Sequence, residues 1–318
     1  MSAQTAHDNT PQLVLGAMNF GTKQDEATSF DLLDRFVDAG GEWIDTANCY
    51  AFWLDPSQVG GQSEELLGRW FARRPGVRDR IKLSTKMRQQ PTVPGRWPES
   101  AEGLSAPAIR SAIEHSLRRL RTDRVDLYWA HADDRTVPQE ESVEAFGELV
   151  KNGLVARLGA SNHAAWRVER ARQIAANRGL AGYTALQLRY TYLQARPNAV
   201  VPDAGHQLAN DGDLDYVRTD PELTLWAYTS QLSGAYARND RPVPEIYRHP
   251  GTDRRLAALA EAAAETGATP NQLVLAWLLA GGVSPIIGVS TPAQLDEAMG
   301  ARSVGLTSEQ WSRMDAVN

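Results

Sequence analysis

APAIRSAIEHSLRRLRTDRVDLYWAHADD, residues 106–134, contains one complete step of the architecture. Ile109, Ile113, Leu117 and Leu120 recur at the spacing that lines one face of a helix, which predicts a helix over Pro107–Leu120. Ser105 stands where an N-cap belongs, two residues before Pro107. After a short polar turn, Val125–Trp129 reads as a buried strand, and Ile81–Thr85 upstream of the helix reads as another. Strand, helix, strand is the unit that lays two strands parallel.

The same alternation extends in both directions. Strands are expected at Leu13–Gly16, Trp43–Asp45, Ile81–Thr85, Val125–Trp129, Ala156–Ala160, Ala185–Leu188, Leu223–Ala227 and Pro285–Ile287. Helices are expected between them at Asp25–Ala39, Ser63–Ala72, Pro107–Leu120, Pro138–Asn152, Trp166–Asn177, Ala204–Tyr216, Asp253–Thr266 with Pro270–Leu279, and Pro292–Ala298. Gly40-Gly41, Gly153, Gly179 and Gly267 sit where helices should end. Eight strand-helix pairs without a linker of altered composition predict an α/β protein, a single (β/α)8 TIM barrel over residues 1–318, with 1–10 as a flexible N-terminus. A doubly wound nucleotide-binding domain would open on G-x-G-x-x-G, and the first strand reads LVLGAMNFGT instead.

Composition narrows the class further. With 42% hydrophobic and 23% charged residues the chain can bury a large core, and its net charge of −6 contains no like-charged run, so nucleic acid is not an expected partner. No stretch has the ~18 consecutive apolar residues of a membrane span, and no secretory signal opens the chain, so a cytoplasmic protein is expected. The lone Cys49 cannot form an internal disulfide and reads as a small packed hydrophobe beside Tyr50.

Three long connections, Cys49–Gln62, Met87–Ala106 and Thr229–Thr252, all follow strands and so gather on the rim where barrels keep their chemistry. Asp45 and Tyr50 follow the second strand, Lys86 the third, His131 the fourth, Ser161 and Asn162 the fifth, and Gln187 lies in the sixth. An acid, an amine, a phenol and an imidazole converging on one mouth suggest a reaction. A phenol with an ordinary pKa of ~10 is a poor acid unless a neighbouring ammonium lowers it, and a buried ammonium needs a carboxylate. That reading gives Lys86 the task of lowering Tyr50, with Asp45 as its partner and His131 as donor to the carbonyl oxygen. No side chain delivers hydride, so a nicotinamide or flavin is required.

At these residues the sequence resembles the aldo-keto reductase family over nearly the whole chain, from LGAMNFGT to SPIIGVSTPAQLDEAM. WIDTANCY, KLSTKM and DRVDLYWAHADD resemble the segments carrying the catalytic Asp, Tyr, Lys and His, which implies those roles for Asp45, Tyr50, Lys86 and His131; GQSEELLGRW resembles the helix that follows the first of them. KNGLVARLGASNH and LQLRY imply that Ser161, Asn162 and Gln187 hold the nicotinamide carboxamide. WAYTSQLSG implies that Tyr228 stacks on the nicotinamide ring, with backbone groups around Ser230, Leu232 and Gly234 approaching the pyrophosphate. Gly16 and Met18 at the start, and Gly288, Ser290 and Gln294 near the end, are implied as further cofactor contacts, with Glu297 a further match.

The resemblance implies NADP as cofactor, with NAD the alternative, because Gly288–Ala298 contains no basic residue to meet a 2′-phosphate. Arg302 is the nearest candidate beyond that run. Phe52, Trp53 and Trp97 are expected over the substrate pocket. Asn48, Gln58, Gln62, Arg88, Gln89 and Gln90 nearby favour a hydroxylated small molecule, a sugar among them. The expected activity is hydride transfer between nicotinamide and an aldehyde, ketone or sugar carbonyl, without a metal. A cofactor-binding regulatory subunit of the same fold, with slow turnover, is the alternative, and Asp133 and Asp134 are read as turning their loop or contacting Arg135.

Overall fold

A computed structural model describes residues 9–201, 203 and 205–316. All but the last two residues of the expected flexible N-terminus lie outside that description. Eight strands, β1 (Val14–Gly16), β2 (Trp43–Asp45), β3 (Lys82–Met87), β4 (Val125–Ala130), β5 (Val155–Ser161), β6 (Tyr183–Arg189), β7 (Thr224–Tyr228) and β8 (Val283–Ile287), form a closed barrel in sequence order. Every neighbouring pair is parallel, including β8 with β1. The helices are α1 (Glu26–Asp38), α2 (Gln62–Arg73), α3 (Val77–Arg80), α4 (Ala106–Leu120), α5 (Gln139–Lys151), α6 (Ala165–Asn177), α7 (Asp211–Thr219), α8 (Pro250–Thr266), α9 (Pro270–Ala280), α10 (Pro292–Gly300) and α11 (Ser308–Asp315).

The sixth connection departs from expectation. α7 begins at Asp211, where Asn210 and Asp213 form a reciprocal capping box, and the residues before it are committed elsewhere. Arg189 N donates to Gln207 O at 2.9 Å and Ala209 N to Arg189 O at 3.0 Å, so this segment extends the barrel edge instead of coiling. Ser105 does occupy the N-cap of α4, but its side chain makes no capping bond.

Side chains alternate in and out along a strand, so residues two apart share the interior. Val14, Trp43, Leu127, Trp129, Ala185 and Trp226 form a separate hydrophobic cluster there. Trp226 meets both Trp43 and Trp129 edge to face, with centroids 5.0 and 5.2 Å away. Gly159 makes room for this layer: a Cβ at that position would lie 2.2 Å from the Trp129 ring. One step further along the same strands stand Asp45, His131, Ser161, Gln187 and Tyr228. The tryptophan floor therefore forces the next inward residues up into the barrel mouth.

Candidate active site

A cavity of about 1260 Å³ opens at the C-terminal ends of the strands. It exceeds the ~300–1,000 Å³ of a drug-sized site, which leaves room for an extended cofactor and a substrate together. Gly16, Met18, Asp45, Tyr50, Phe52, Trp53, Trp97, His131, Ser161, Asn162, Gln187, Tyr228, Ser230, Gly234, Gly288, Ser290, Gln294 and Glu297 all line it. Leu232 itself does not, its side chain packing into the hydrophobic core and its N–H donating to Thr229 O at 3.1 Å, while its neighbours Ser230, Ser233 and Gly234 do.

Lys86 is fully buried at the end of β3 and reaches the cavity only through its partners. Its Nζ donates to Asp45 Oδ2 at 2.5 Å, to Thr46 O at 2.8 Å and to Tyr50 Oη at 3.3 Å. Ser84 donates to the other Asp45 oxygen at 2.5 Å, so the carboxylate has a partner on each side. Gly60 holds the Cys49–Tyr50 segment down, since a Cβ there would come within 2.5 Å of Cys49 Cα. The His131 ring lies edge-on to Tyr50, centroids 5.7 Å apart.

The electrostatics correct one expectation. Burial pushes the Tyr50 hydroxyl well above its usual range and the negative charge of Asp45 adds to this, so the hydrogen bond from Lys86 does not bring it below that range. Burial pulls the Lys86 ammonium down, with Asp45 opposing. His131 is held well below the ordinary imidazole range, by burial first and by the Lys86 charge second, so the ring is neutral. Its Nδ1 lies 3.7 Å from the Cys49 thiol, which burial keeps protonated. A thiol donating to Nδ1 leaves the proton on Nε2, the tautomer able to donate to a carbonyl oxygen. Cys49 is thus both packed and part of the cavity wall.

The groups expected to meet a nicotinamide carboxamide divide in two. Gln187 is 2% exposed and its Nε2 has no hydrogen-bond partner among the described residues, an arrangement costing ~1–3 kcal/mol unless a ligand acceptor satisfies it. A carboxamide oxygen is such an acceptor, so these residues fit the group. Asn162 is already saturated. It takes a left-handed backbone, φ 56°; its amide donates to His131 O and Ser161 Oγ, and its oxygen accepts from Gln207 N at 3.0 Å and Tyr228 Oη at 2.7 Å.

Beyond Tyr228 the chain turns through left-handed φ at Thr229, Leu232, Ser233 and Gly234, a strained arrangement for a β-branched residue. That loop carries Arg238 and Arg241 to the cavity wall, and Lys23 reaches it from the loop after β1. Arg302 does not approach: it donates to Ala39 O and Gly40 O behind α1. Sequence reasoning missed Lys23, Arg238 and Arg241 because it searched for cations only around α10; scanning every rim loop would have found them.

The side chains that favoured a sugar mostly face elsewhere. Asn48 donates to Glu102, Gln62 to Val59 O, Arg88 to Gln89, and Gln90 pairs with Asn48 and Gly60 backbone; of the six residues only Gln89 lines the cavity. Phe52, Trp53 and Trp97 instead form an aromatic wall, with centroid separations of 5.1 and 5.7 Å from Phe52. Asp133 pairs with Arg135 and Arg167, and Asp134 accepts from Leu104 N and Thr136. No helix among the described residues is long and apolar enough to cross a membrane.

The sequence model described as the aldo/keto reductase family matches residues 12–318. The uncharacterized oxidoreductase YrpG of Bacillus subtilis is 33% identical over 94% of this chain and 89% of its own length. Norsolorinic acid reductase of Emericella nidulans is 32% identical over 94% and 76%. An aryl-alcohol dehydrogenase of Pestalotiopsis microspora is 28% identical over 96% and 78%.

Proposed function

The chain belongs to the aldo/keto reductase family, an oxidoreductase using a nicotinamide cofactor on small-molecule carbonyls, and from that premise we propose that it reduces aryl aldehydes or ketones with NADPH. Tyr50 is the proton donor. The observation that carries this reading is the Tyr50 hydroxyl 3.3 Å from Lys86, beside an aromatic wall and an unpartnered Gln187 amide in one cavity.

A bound nicotinamide supplies the hydride. The protein's part is to hold the carbonyl oxygen between Tyr50 Oη and His131 Nε2. As that oxygen charges it becomes a far stronger base than a phenolate, so a phenol with a raised pKa still gives up its proton. Lys86, donating to Oη, stabilises the phenolate that remains. A phenol held protonated is ready for reduction, whereas the reverse reaction would first need it ionised. Positioned proton donation contributes ~10²–10⁴-fold, and placing the reactants supplies much of the rest.

The substrate class rests on the aromatic wall, where an aryl ring finds edge and face contacts worth ~0.5–1.5 kcal/mol per pair. The activities for which the fungal relatives are named, norsolorinic acid reduction and aryl-alcohol dehydrogenation, point the same way. NADPH is favoured over NADH by Lys23 and Arg241, whose side chains have no hydrogen bond or ion pair among the described residues, and by Arg238, paired only with exposed Asp240.

The test is parallel fluorescence titration with NADPH and NADH, followed by turnover of benzaldehyde, hexanal and an aldose. We expect NADPH to bind at least tenfold more tightly, a preference lost in Arg238→Ala/Arg241→Ala, and benzaldehyde to have the highest kcat/KM. Equal binding of the two cofactors overturns the NADPH assignment; preference for the aldose overturns the substrate class.

A further inference from the structure

The connection between β6 and α7 brings a second imidazole to the cavity, unused by the chemistry above. His206 and Asp203 both line the cavity, and Asp203 Oδ2 lies 3.5 Å from His206 Nδ1 and 2.9 Å from Arg189 Nη1. The ring stands edge-on to Tyr228, centroids 5.2 Å apart. Its placement is not that of a free loop. The next residue is pinned on both sides, Gln207 N to Asn162 Oδ1 at 3.0 Å and Gln207 O to Arg189 N at 2.9 Å, while His206 N donates to Asp203 O at 3.1 Å. A Cβ at Gly205 would lie 3.3 Å from Gln89 Nε2, so the turn packs against the polar residue of the substrate pocket.

The tautomer follows from the partners. A carboxylate 3.5 Å from Nδ1, close but short of a hydrogen bond, favours the proton on that nitrogen, and burial lowers the pKa of the ring against the pull of Asp203, so it is neutral. Nε2 then carries a lone pair, and it has no hydrogen-bond partner among the described residues. A neutral acceptor backed by a carboxylate suits a hydroxyl donor and repels a carboxylate.

We propose that His206, oriented by Asp203, is a specificity-determining residue that accepts a hydrogen bond from a ring hydroxyl, so that the preferred substrates are hydroxyaryl carbonyls. The proposal rests on the aryl reading above and deepens it. A single partly exposed bond is worth ~0.5–1.5 kcal/mol, or roughly two- to tenfold in kcat/KM.

The test compares benzaldehyde with the three hydroxybenzaldehydes, their methoxy analogues and 4-carboxybenzaldehyde, at a pH where the phenols are protonated. For wild type we expect at least one hydroxybenzaldehyde to exceed both its methoxy analogue and benzaldehyde by roughly two- to tenfold. In His206→Phe the ratio of hydroxy to unsubstituted kcat/KM should fall to near one, and Asp203→Asn should lower it partly. Each ratio is taken within one variant, so a general loss of folded protein cancels. A wild-type ratio near one for all three isomers, a ratio unchanged by His206→Phe, or a preference for the carboxylate overturns the role of His206. A kcat/KM for all aryl aldehydes below that of hexanal overturns the aryl reading, and this proposal with it.

Discussion

The floor and the mouth of the barrel lie one pleat apart on the same strands and are built from opposite materials. Trp43, Trp129 and Trp226 close the floor by edge-to-face packing. Asp45, His131 and Tyr228, two residues further on, are polar, and the first of them is tied to a fully buried ammonium. Dispersion holds the lower layer and stays favourable whatever the pH; the upper layer depends on charge pairing in a place that resists charge. The contrast teaches that geometry and reactivity are separable here: the floor fixes where the strand ends point, and the mouth uses those directions.

The largest expected effect would fall on stability. Trp129→Ala should lower unfolding free energy by ~3–5 kcal/mol in chemical denaturation, because it opens a cavity in the packed layer. An undisturbed midpoint would mean that the floor is not holding the barrel.

The mouth should respond differently. Lys86→Met alone strands the buried Asp45 carboxylate and should cost roughly 3–5 kcal/mol, whereas Lys86→Met with Asp45→Leu should return to within about 1 kcal/mol of wild type, since replacing both members of a buried pair is often neutral. Both variants should lose turnover by a factor of ~100 or more. Recovery of stability in the double variant without recovery of activity would sharpen the division; recovery of both would break it.

The smallest expected effect is a missing one. His131 is held below the ordinary imidazole pKa and Tyr50 above the ordinary phenol pKa, so the neutral imidazole and the protonated phenol coexist across the neutral range. For reduction, kcat/KM should therefore show no acid limb near the usual imidazole value of 6.5, and should fall only in the alkaline range as Lys86, itself held below 10.5, loses its proton. A profile centred on 6.5 would place a charged imidazole in the mechanism.

The barrel was legible because its strands are short apolar runs and its helices carry capping and terminating residues at regular distances. Asp45, Tyr50, Lys86 and His131 were legible as a set because strand ends converge in a barrel. The direction of the Tyr50 pKa was not: sequence placed Lys86 beside it, but how deeply the hydroxyl is buried, and how close Asp45 comes to it and to Lys86, shows only in the coordinates. The stretch before α7 reads as helix by its composition, and its true course depends on backbone bonds to Arg189 and Asn162, which no local pattern announces. The left-handed turn at Leu232, φ 48°, was equally illegible.

Tyr50→Phe tests the central claim most directly, because it removes one hydroxyl and little shape. NADPH titration together with single-turnover reduction of benzaldehyde should show binding within about twofold of wild type and a hydride-transfer rate lower by a factor of ~100 or more. A rate equal to wild type would contradict the assignment of Tyr50 as the acid.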